Sequence, residues 1–408
     1  MSTSTASTAA QRPVTAYLPQ GRFGHAVVER LAGPQDAVVP VDHGLVYAAL
    51  PYADRLVMVA DADRTALREA LDEVSFTRSL PKAELHLHLE GTLEPALKLR
   101  LAQKHGVDIG QSTIDEVRAS YRFNDLASFL AVYYPAMEVL RDEDDFHDLA
   151  AAYLARARQD GVVRAECFFD PQAHTGRGIP IETVIRGYHR AIEEAREQGM
   201  SADLILCFLR DLSAESAMET LRAALPHKDM FIGVGLDSDE RGNPPTKFAE
   251  AFALARDNGL RVTMHCDIDQ VGSIDHIRSA LLELGAERLD HGTNIVEDPA
   301  LVAYARDHGI GLTTCPLSNS FVTEEMKGKE IVELLEAGVK VSVNSDDPAY
   351  FGGYIADNYF ALAERFGLDR TALARIARNS IEISWAPDQD KARLLAGLDA
   401  FEEGEGLV

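Results

Sequence analysis

Three stretches of the chain decide the fold: VVRAECFF (162–169), VIRGYHRAIEEAREQG (184–199) and ADLILCFL (202–209). The first and third are short apolar runs, which are typical of strands buried on both faces. The middle stretch has the apolar spacing of an amphipathic helix, and Gly199 stands where a helix C-cap is expected. A strand, a helix and a second strand in this order predict a βαβ unit with parallel strands.

The same alternation continues over most of the chain. Eight apolar runs follow one another from residue 80 onward: 83–89, 162–169, 202–209, 230–236, 260–266, 287–292, 309–315 and 338–345. Eight such strands separated by amphipathic stretches predict an α/β fold, a (β/α)₈ TIM barrel. We expect residues 91–160 to form a helical insertion after the first strand, and residues 355–404 to form two or three C-terminal helices.

The chain before the barrel has a different pattern. Residues 1–12 are mainly Ser, Thr and Ala without periodicity, which predicts a disordered tail. Residues 13–79 contain short β-like runs and one helical stretch, which predicts a small β-rich N-terminal extension. No chemical motif lies in this extension, so the sequence assigns it no role. We expect the barrel domain to span residues 80–408.

Composition excludes several classes of partner. The 65 Asp and Glu against 40 Lys and Arg give a net charge of −25, which argues against nucleic acid and anionic membranes. No apolar run is long enough for a membrane span, and the polar N-terminus lacks a signal-peptide core. The four cysteines form no CxxC pair. We therefore expect a cytoplasmic protein with reduced cysteines.

Residues that commonly carry chemistry lie at one end of the predicted strands. They are His86, His88 and Glu90 at the first strand, His265 at the fifth, His291 at the sixth, and Asp346 and Asp347 at the eighth. A single histidine at a strand end is as readily a core residue as a ligand. Four histidines and an acidic pair on four strands at the same rim of one barrel instead indicate an active site.

The residue types at this rim predict a metal site. His86, His88, His265 and Asp346 offer three nitrogens and one oxygen, a set suited to one Zn²⁺ per chain, with Fe²⁺ as the alternative. A metal of this kind activates water near neutral pH, which predicts a hydrolase. We expect His291 to orient that water or to take its proton.

Asp347 has two interpretations. It follows a metal ligand directly, so its carboxylate can bind a polar edge of the substrate. It also precedes Pro348, and an acid before a proline is a common N-cap of a helix.

Four motifs resemble a known family. They are PKAELHLHLEG (81–91), RLDHGTNI (288–295), TTCPLSN (313–319) and VSVNSDDPAYFGGYI (341–355). Together they resemble the adenosine and adenine deaminase family of the amidohydrolase superfamily, from about Leu80 to the C-terminus. FFDPQAHTGRGIP (168–180), GVGLDSDERGNPPTKF (233–248) and DLSAESAMETL (211–221) look like the adenine deaminase branch.

The resemblance implies roles for individual residues. It assigns metal binding to His86, His88, His265 and Asp346, and water activation to His291. It implies that Asp347 bonds the purine N7 and that the backbone N–H of Ser238 meets the ring N3. Glu90 stands where the nucleoside enzymes carry a shorter acid that meets the ribose, so a longer acid there favours a free base over a nucleoside.

One motif departs from the family. The family's fifth strand ends in HAGE, whose glutamate shares a proton with ring N1, whereas this chain has Ile268 three residues after His265. Either Asp267 or Asp269 replaces that acid, or the substrate needs no protonation there, or the chemistry differs from adenine deamination.

The leading hypothesis is a metal-dependent aminohydrolase that deaminates adenine or a closely related aminopurine and releases ammonia. The alternatives are a deaminase of adenosine, of an N6-substituted adenine or of another amino-heterocycle, and a metal-binding barrel without turnover. A non-catalytic binder has no need of the activated water that His291 implies. The expected partner is a small purine, and a homo-oligomer is left open.

Overall fold

The structure is a computed structural model that describes residues 16–18, 55–57, 64–266, 272–323 and 325–408. The chain divides into two units, Met1–Arg78 and Ser79–Val408. In the first unit, β1 (Ala16–Leu18) pairs antiparallel with β2 (Arg55–Val57). Helix α1 spans Arg64–Ser79. The predicted tail, 1–12, lies outside the described residues, and the predicted extension, 13–79, is described only in part.

The second unit is built around eight parallel strands. They are β3 (Lys82–Glu84), β4 (Val162–Phe169), β5 (Ser201–Leu209), β6 (Gly233–Asp237), β7 (Arg261–Cys266), β8 (Arg288–His291), β9 (Gly311–Thr314) and β10 (Lys340–Val343). Each strand pairs with the next in chain order. The N–H of His88 donates to the carbonyl of Asp346 (3.0 Å), and the N–H of Asp346 donates to the carbonyl of His86 (3.1 Å), which joins the two ends of the sheet. The predicted TIM barrel is confirmed.

The apolar runs form strands because the barrel buries both of their faces. In β5, every residue from Leu204 to Leu209 is buried. Residues that point inward pack in the barrel interior, and those that point outward are covered by the helices that follow each strand. A strand of the barrel therefore requires a continuous apolar run in its sequence.

The first strand of the barrel is shorter than the predicted run 83–89. Regular pairing ends at Glu84, and only isolated bridges at Leu87 and His88 continue it. The cause is a side chain: the N–H of Leu85 donates to the Asn344 Oδ1 (2.8 Å) instead of to a strand carbonyl.

Helices fill the remainder of the second unit. The insertion after β3 contains α2 (Pro95–His105), α3 (Ile114–Ser120), α4 (Leu126–Ala136) and α5 (Glu143–Gln159). Between and after the later strands lie α6 (Pro171–Thr175), α7 (Ile181–Glu197), α8 (Ala214–Ala224), α9 (Ala249–Asp257), α10 (Ser273–Arg278), α11 (Pro299–His308), α12 (Pro316–Val322), α13 (Gly328–Glu336) and α14 (Pro348–Phe351). The chain ends with α15 (Ile355–Phe366), α16 (Arg370–Glu382) and α17 (Asp388–Glu405).

The helical insertion and the C-terminal helices are thus confirmed, and the C-terminal set has three members. In the described part of the chain, no helix combines the length and the apolar character needed to cross a membrane.

Candidate metal centre and active site

The carboxyl end of the barrel brings the four predicted metal ligands together. His86 and His88 follow β3, His265 lies near the end of β7, and Asp346 follows β10. All four side chains are buried. They converge because the strands are parallel, so the residues at their carboxyl ends meet at one rim.

The distances between donor atoms suit a single ion. The Nε2 atoms of His88 and His265 are 3.2 Å apart, and Asp346 Oδ1 lies 3.4 Å from His86 Nε2 and 3.5 Å from His88 Nε2. Two nitrogens bound to tetrahedral zinc at about 2.0–2.1 Å are separated by about 3.3 Å. These three pairs of donor atoms therefore already have the spacing of a ligand shell.

Two of the three histidines are neutral, and the third is paired with the carboxylate of the ligand set. His86 Nδ1 lies 3.1 Å from the carbonyl of Thr313, so Nδ1 carries a proton and donates it there. Burial lowers the pKa of His86, but Asp346, at 3.4 Å from its Nε2, outweighs burial and raises that pKa above its ordinary value. Burial lowers the pKa of His88 to about 4 and that of His265 well below its ordinary value. Both are thus neutral near pH 7, as metal coordination requires.

A buried carboxylate orients His265 from outside the ligand set. Asp290 Oδ2 lies 3.6 Å from His265 Nδ1. The same carboxylate accepts hydrogen bonds from Thr263 Oγ1 (2.7 Å) and Thr313 Oγ1 (2.8 Å). Carboxylates in this position fix the ring orientation of metal-binding histidines. Sequence reasoning did not select Asp290, although it immediately precedes His291.

His88 and Asp346 have partners of the same kind. Asp237 Oδ2 lies 3.5 Å from His88 Nδ1. Ser318 Oγ donates to Asp346 Oδ2 at 2.6 Å. Each ligand therefore presents one atom to the shared centre while its other polar atom faces a protein group.

Two further donors lie beside the four ligands. His291 offers a nitrogen within 4.8 Å of nitrogens of His86 and His265, and Cys315 offers its sulfur within the same distance of His291 and Asp346. Burial, and then the nearby Asp346, raise the pKa of the Cys315 thiol well above its ordinary value. The Cys315 thiol donates weakly to the carbonyl of Thr313 (3.9 Å), so it has a partner outside the four proposed ligands.

His291 is suited to act on a water at this centre. It is the last residue of β8, lines the cavity and is 9% exposed. Its Nε2 lies 3.7 Å from Asp346 Oδ2. Burial lowers the pKa of His291 to about 4, so the ring is neutral and can accept a proton.

Backbone strain is concentrated at this rim. Among the described residues, four that are not glycine have a positive φ: Ser238 (71°), His291 (56°), Asp346 (66°) and Lys327 (55°). The first three line the same cavity. A left-handed backbone is costly for residues with a Cβ, and such residues cluster at functional sites.

A cavity opens above the metal ligands. Its apolar side is formed by residues of the helical insertion and of two later helices: Leu126, Phe129, Leu130, Tyr133, Val322 and Phe351. Its polar side is formed by His88, Asp170, Asp237, Ser238, His265, His291, Asp346 and Asp347. One apolar wall facing a row of acceptors suits a flat heterocycle with polar edges.

Asp347 lines this cavity and does not cap the helix that follows it. It occupies the N-cap position of α14, yet its side chain accepts no hydrogen bond from that helix. Its Oδ1 is buried without a partner. Gly91 packs against it so closely that a Cβ at residue 91 would lie 2.0 Å from Asp347 Oδ1. Of the two interpretations of Asp347, this placement favours substrate binding.

Ser238 and Glu90 have different surroundings. Ser238 lines the cavity, and its Oγ accepts a hydrogen bond from Tyr134 Oη at 2.9 Å. Glu90 is fully buried and is not part of the cavity lining. Its Oε1 accepts hydrogen bonds from His174 Nε2 and Tyr188 Oη, each at 2.9 Å. Asp267 and Asp269, the proposed replacements for the missing glutamate, lie outside the described residues.

These features are those of one class of protein: a parallel eight-stranded barrel with a candidate histidine and aspartate metal centre at its carboxyl rim is typical of metal-dependent barrel hydrolases. The sequence profile of the adenosine deaminase family matches residues 81–401. The chain belongs to this family, and the resemblance drawn from its motifs is confirmed.

Individual relatives cover the same part of the chain. Adenine deaminase of Hahella chejuensis is 49% identical over 329 residues, which are 80% of this chain and 98% of that protein. The crystal structure of adenine deaminase from Arthrobacter aurescens has 42% identity and a TM-score of 0.76, covering 79% of this chain and 99% of that one. A zinc-bound amidohydrolase from Burkholderia ambifaria has 26% identity and a TM-score of 0.75, covering 82% and 95%.

Proposed function

We propose that this protein is a zinc-dependent aminohydrolase that deaminates adenine or a closely related aminopurine. The observation that carries the proposal is the set of four convergent donor groups, with the neutral His291 beside them, beneath a cavity that suits a flat heterocycle. Relatives named adenine deaminase, nearly half identical to this chain over almost their whole length, support the choice of substrate.

The metal assignment rests on the donor set. His86, His88, His265 and Asp346 offer imidazole nitrogens and one carboxylate, which zinc accepts readily, with Fe²⁺ as the alternative. The Burkholderia amidohydrolase was crystallised with bound zinc, which supports the choice of metal. We propose one ion per chain. When bound, it lowers the pKa of a coordinated water to near neutrality.

The protein groups then have separate tasks. His291 takes a proton from the water that attacks the purine C6. Asp347 holds the N7 edge, and the backbone N–H of Ser238 meets N3. Breaking the C6–N bond releases the amino group as ammonia, so the 6-amino group becomes a 6-oxo group with one water consumed. The apolar wall excludes bulk water from the ring.

Protonation of ring N1 needs an acid that this chain does not carry at the position of the family's glutamate. We propose that Asp267 or Asp269 supplies it, because these are the two acids within four residues of His265 on its C-terminal side. Substituting each by Asn should therefore lower the rate by about 10²-fold or more in one of the two variants, with metal content unchanged. Ammonia release and metal analysis on both variants measure this. Full activity in both would favour a substrate that needs no protonation there.

The substrate proposal is tested by comparing adenine with adenosine on one preparation. We expect kcat/KM for adenine to exceed that for adenosine by more than about 10³-fold, because a site that binds a ring N–H is left with an unpaired acceptor when ribose replaces that hydrogen. Ammonia release against a panel that includes N6-methyladenine and cytosine completes the measurement. A higher value for adenosine would make the protein a nucleoside deaminase, and absence of turnover in the metal-loaded protein would favour a binding role.

A further inference from the structure

Two neighbouring acids line the cavity, and one of them has no role at the metal centre, in water activation or in protonation of N1. Asp170 directly follows β4, and Asp237 is the last residue of β6. Both are almost fully buried, at 2% and 3% exposure. A carboxylate oxygen of each lies within 4.8 Å of the other and of a His88 nitrogen.

The two acids face different groups. Asp237 points its Oδ2 at His88 Nδ1, so it acts as the orienting partner of a metal ligand. Asp170 occupies the N-cap position of α6 but forms no capping hydrogen bond with that helix. Its Oδ1 is buried without a hydrogen-bond partner. Burial, and then the neighbouring Asp237, raise the pKa of the Asp170 carboxyl group well above its ordinary value, so this group shares a proton with Asp237. The Oδ1 of Asp170 is therefore a buried acceptor on the cavity wall that local structure does not use.

A buried carboxyl group is costly unless something donates to it. Because Asp170 lines the cavity, a bound ligand can supply the missing donor. The segment is also held firmly: the N–H of Asp170 donates to Glu90 Oε1 (3.3 Å), and Glu90 is fixed in turn by His174 and Tyr188. Glu90 thus supports the wall from behind and holds the backbone of Asp170 in place.

The chemistry of the purine identifies the donor. In a purine, N3 and N9 are both attached to C4, so a group beside the N3 contact meets the N9 edge. The proposed N3 contact is Ser238, and a carboxylate oxygen of its chain neighbour Asp237 lies within 4.8 Å of one of Asp170. In a free base N9 can carry a hydrogen, whereas in a nucleoside it carries the sugar.

We propose that Asp170 accepts the N9–H hydrogen bond of a free purine base and is the residue that selects bases over nucleosides. This inference rests on the proposed function, since it takes a 6-aminopurine as the substrate. The sequence suggested that Glu90 selects bases over nucleosides. We assign this selectivity instead to Asp170, which Glu90 holds in place. Asp170 contacts the ring away from C6, so it determines binding more than the chemical step.

The test compares adenine with 9-methyladenine, which differs by the loss of the N9–H and the gain of a methyl group. The parent protein should prefer adenine by at least about 10²-fold in kcat/KM. Asp170→Ala should lower kcat/KM for adenine by about 10²-fold, mainly through KM, and change the value for 9-methyladenine by less than about threefold. Asp170→Asn keeps one acceptor oxygen but loses the second oxygen of the carboxyl group, so it should reduce the preference by about tenfold. Asp229→Asn, an exposed acid, is the matched control and should leave both substrates unchanged.

Each outcome has a distinct meaning. If the parent protein does not deaminate adenine, the proposed function fails. If it does, but Asp170→Ala and Asp170→Asn slow both substrates equally or leave the preference intact, only the Asp170 inference is overturned. If Asp170→Ala does not fold, which circular dichroism shows, the Asp170→Asn preference decides.

Discussion

His86→Ala and Asp346→Ala are each expected to lose bound metal and to lower kcat/KM by more than about 10³-fold. Each change removes one of four protein ligands and leaves an incomplete shell. The loss of activity follows because water is not activated near pH 7 without the metal. Metal analysis and ammonia release on the same preparations measure both effects.

Substitutions at His86 and Asp346 test different properties of the proposed metal-ligand shell. His86 offers a nitrogen that lies within 4.8 Å of donor atoms of His88, His265 and Asp346, so an ion shared with them is the partner that its geometry implies. Asp346 supplies the negative charge: it lies 3.4 Å from His86 Nε2 and 3.5 Å from His88 Nε2. Asp346→Asn keeps the size of the side chain and removes the charge. It should therefore lose affinity for the metal while the barrel stays folded.

Surface residues of the same types provide the controls. His308→Ala and Asp307→Ala change exposed residues at the end of α11 and should retain metal and activity. Thermal unfolding of the metal-free proteins checks that the variants are folded. A full equivalent of metal in both His86→Ala and Asp346→Ala, with activity intact, would show that the site is assigned to the wrong residues.

The fold, and the convergence of the four proposed metal ligands at one rim, could be predicted because both depend on periodicity alone. Apolar runs alternating with amphipathic stretches allow few architectures, and the parallel strands bring their carboxyl ends to one rim. His86 and His88 have the same parity, so they point to the same side. His265 lies near the end of its predicted strand and Asp346 directly follows its own, which places both at the same rim. These inferences required no knowledge of loop conformation.

Parity was a poor guide beyond His88, where the last bridge to a neighbouring strand lies. Glu90 shares the parity of His88, which suggested the same cavity for both side chains. Regular pairing ends before this point, and a 3₁₀ turn at Glu90–Thr92 takes the place of the strand. The turn directs the carboxylate toward His174 and Tyr188, residues far along the chain. Such a partner cannot be deduced from local spacing.

Asp170 carried a signal that the sequence alone could not resolve. It precedes Pro171 as Asp347 precedes Pro348, and an acid before a proline at the start of a helix is ordinarily an N-cap. Neither side chain caps its helix in the structure. Only the three-dimensional arrangement shows that both have a buried oxygen without a partner at the same cavity.

The second large effect is expected at His291, and it should separate water activation from metal binding. His291→Asn should keep the metal and lower kcat by about 10² to 10⁴-fold, the usual contribution of a positioned acid–base group. Asn suits this test because His291 has a φ of 56°, and Asn tolerates a left-handed backbone better than most residues. The substitution therefore removes the base with little backbone strain.

The measurement pairs single-turnover rates with metal analysis, because His291 also lies close enough to His86 and His265 to serve as a ligand. If His291 is a base and not a metal ligand, His291→Asn should bind a full equivalent of metal and have a slow chemical step, with KM little changed. Loss of metal in His291→Asn would place this residue in the ligand shell instead. A variant that keeps both metal and the parent rate would remove His291 from the mechanism, and another group would have to take the proton from the attacking water.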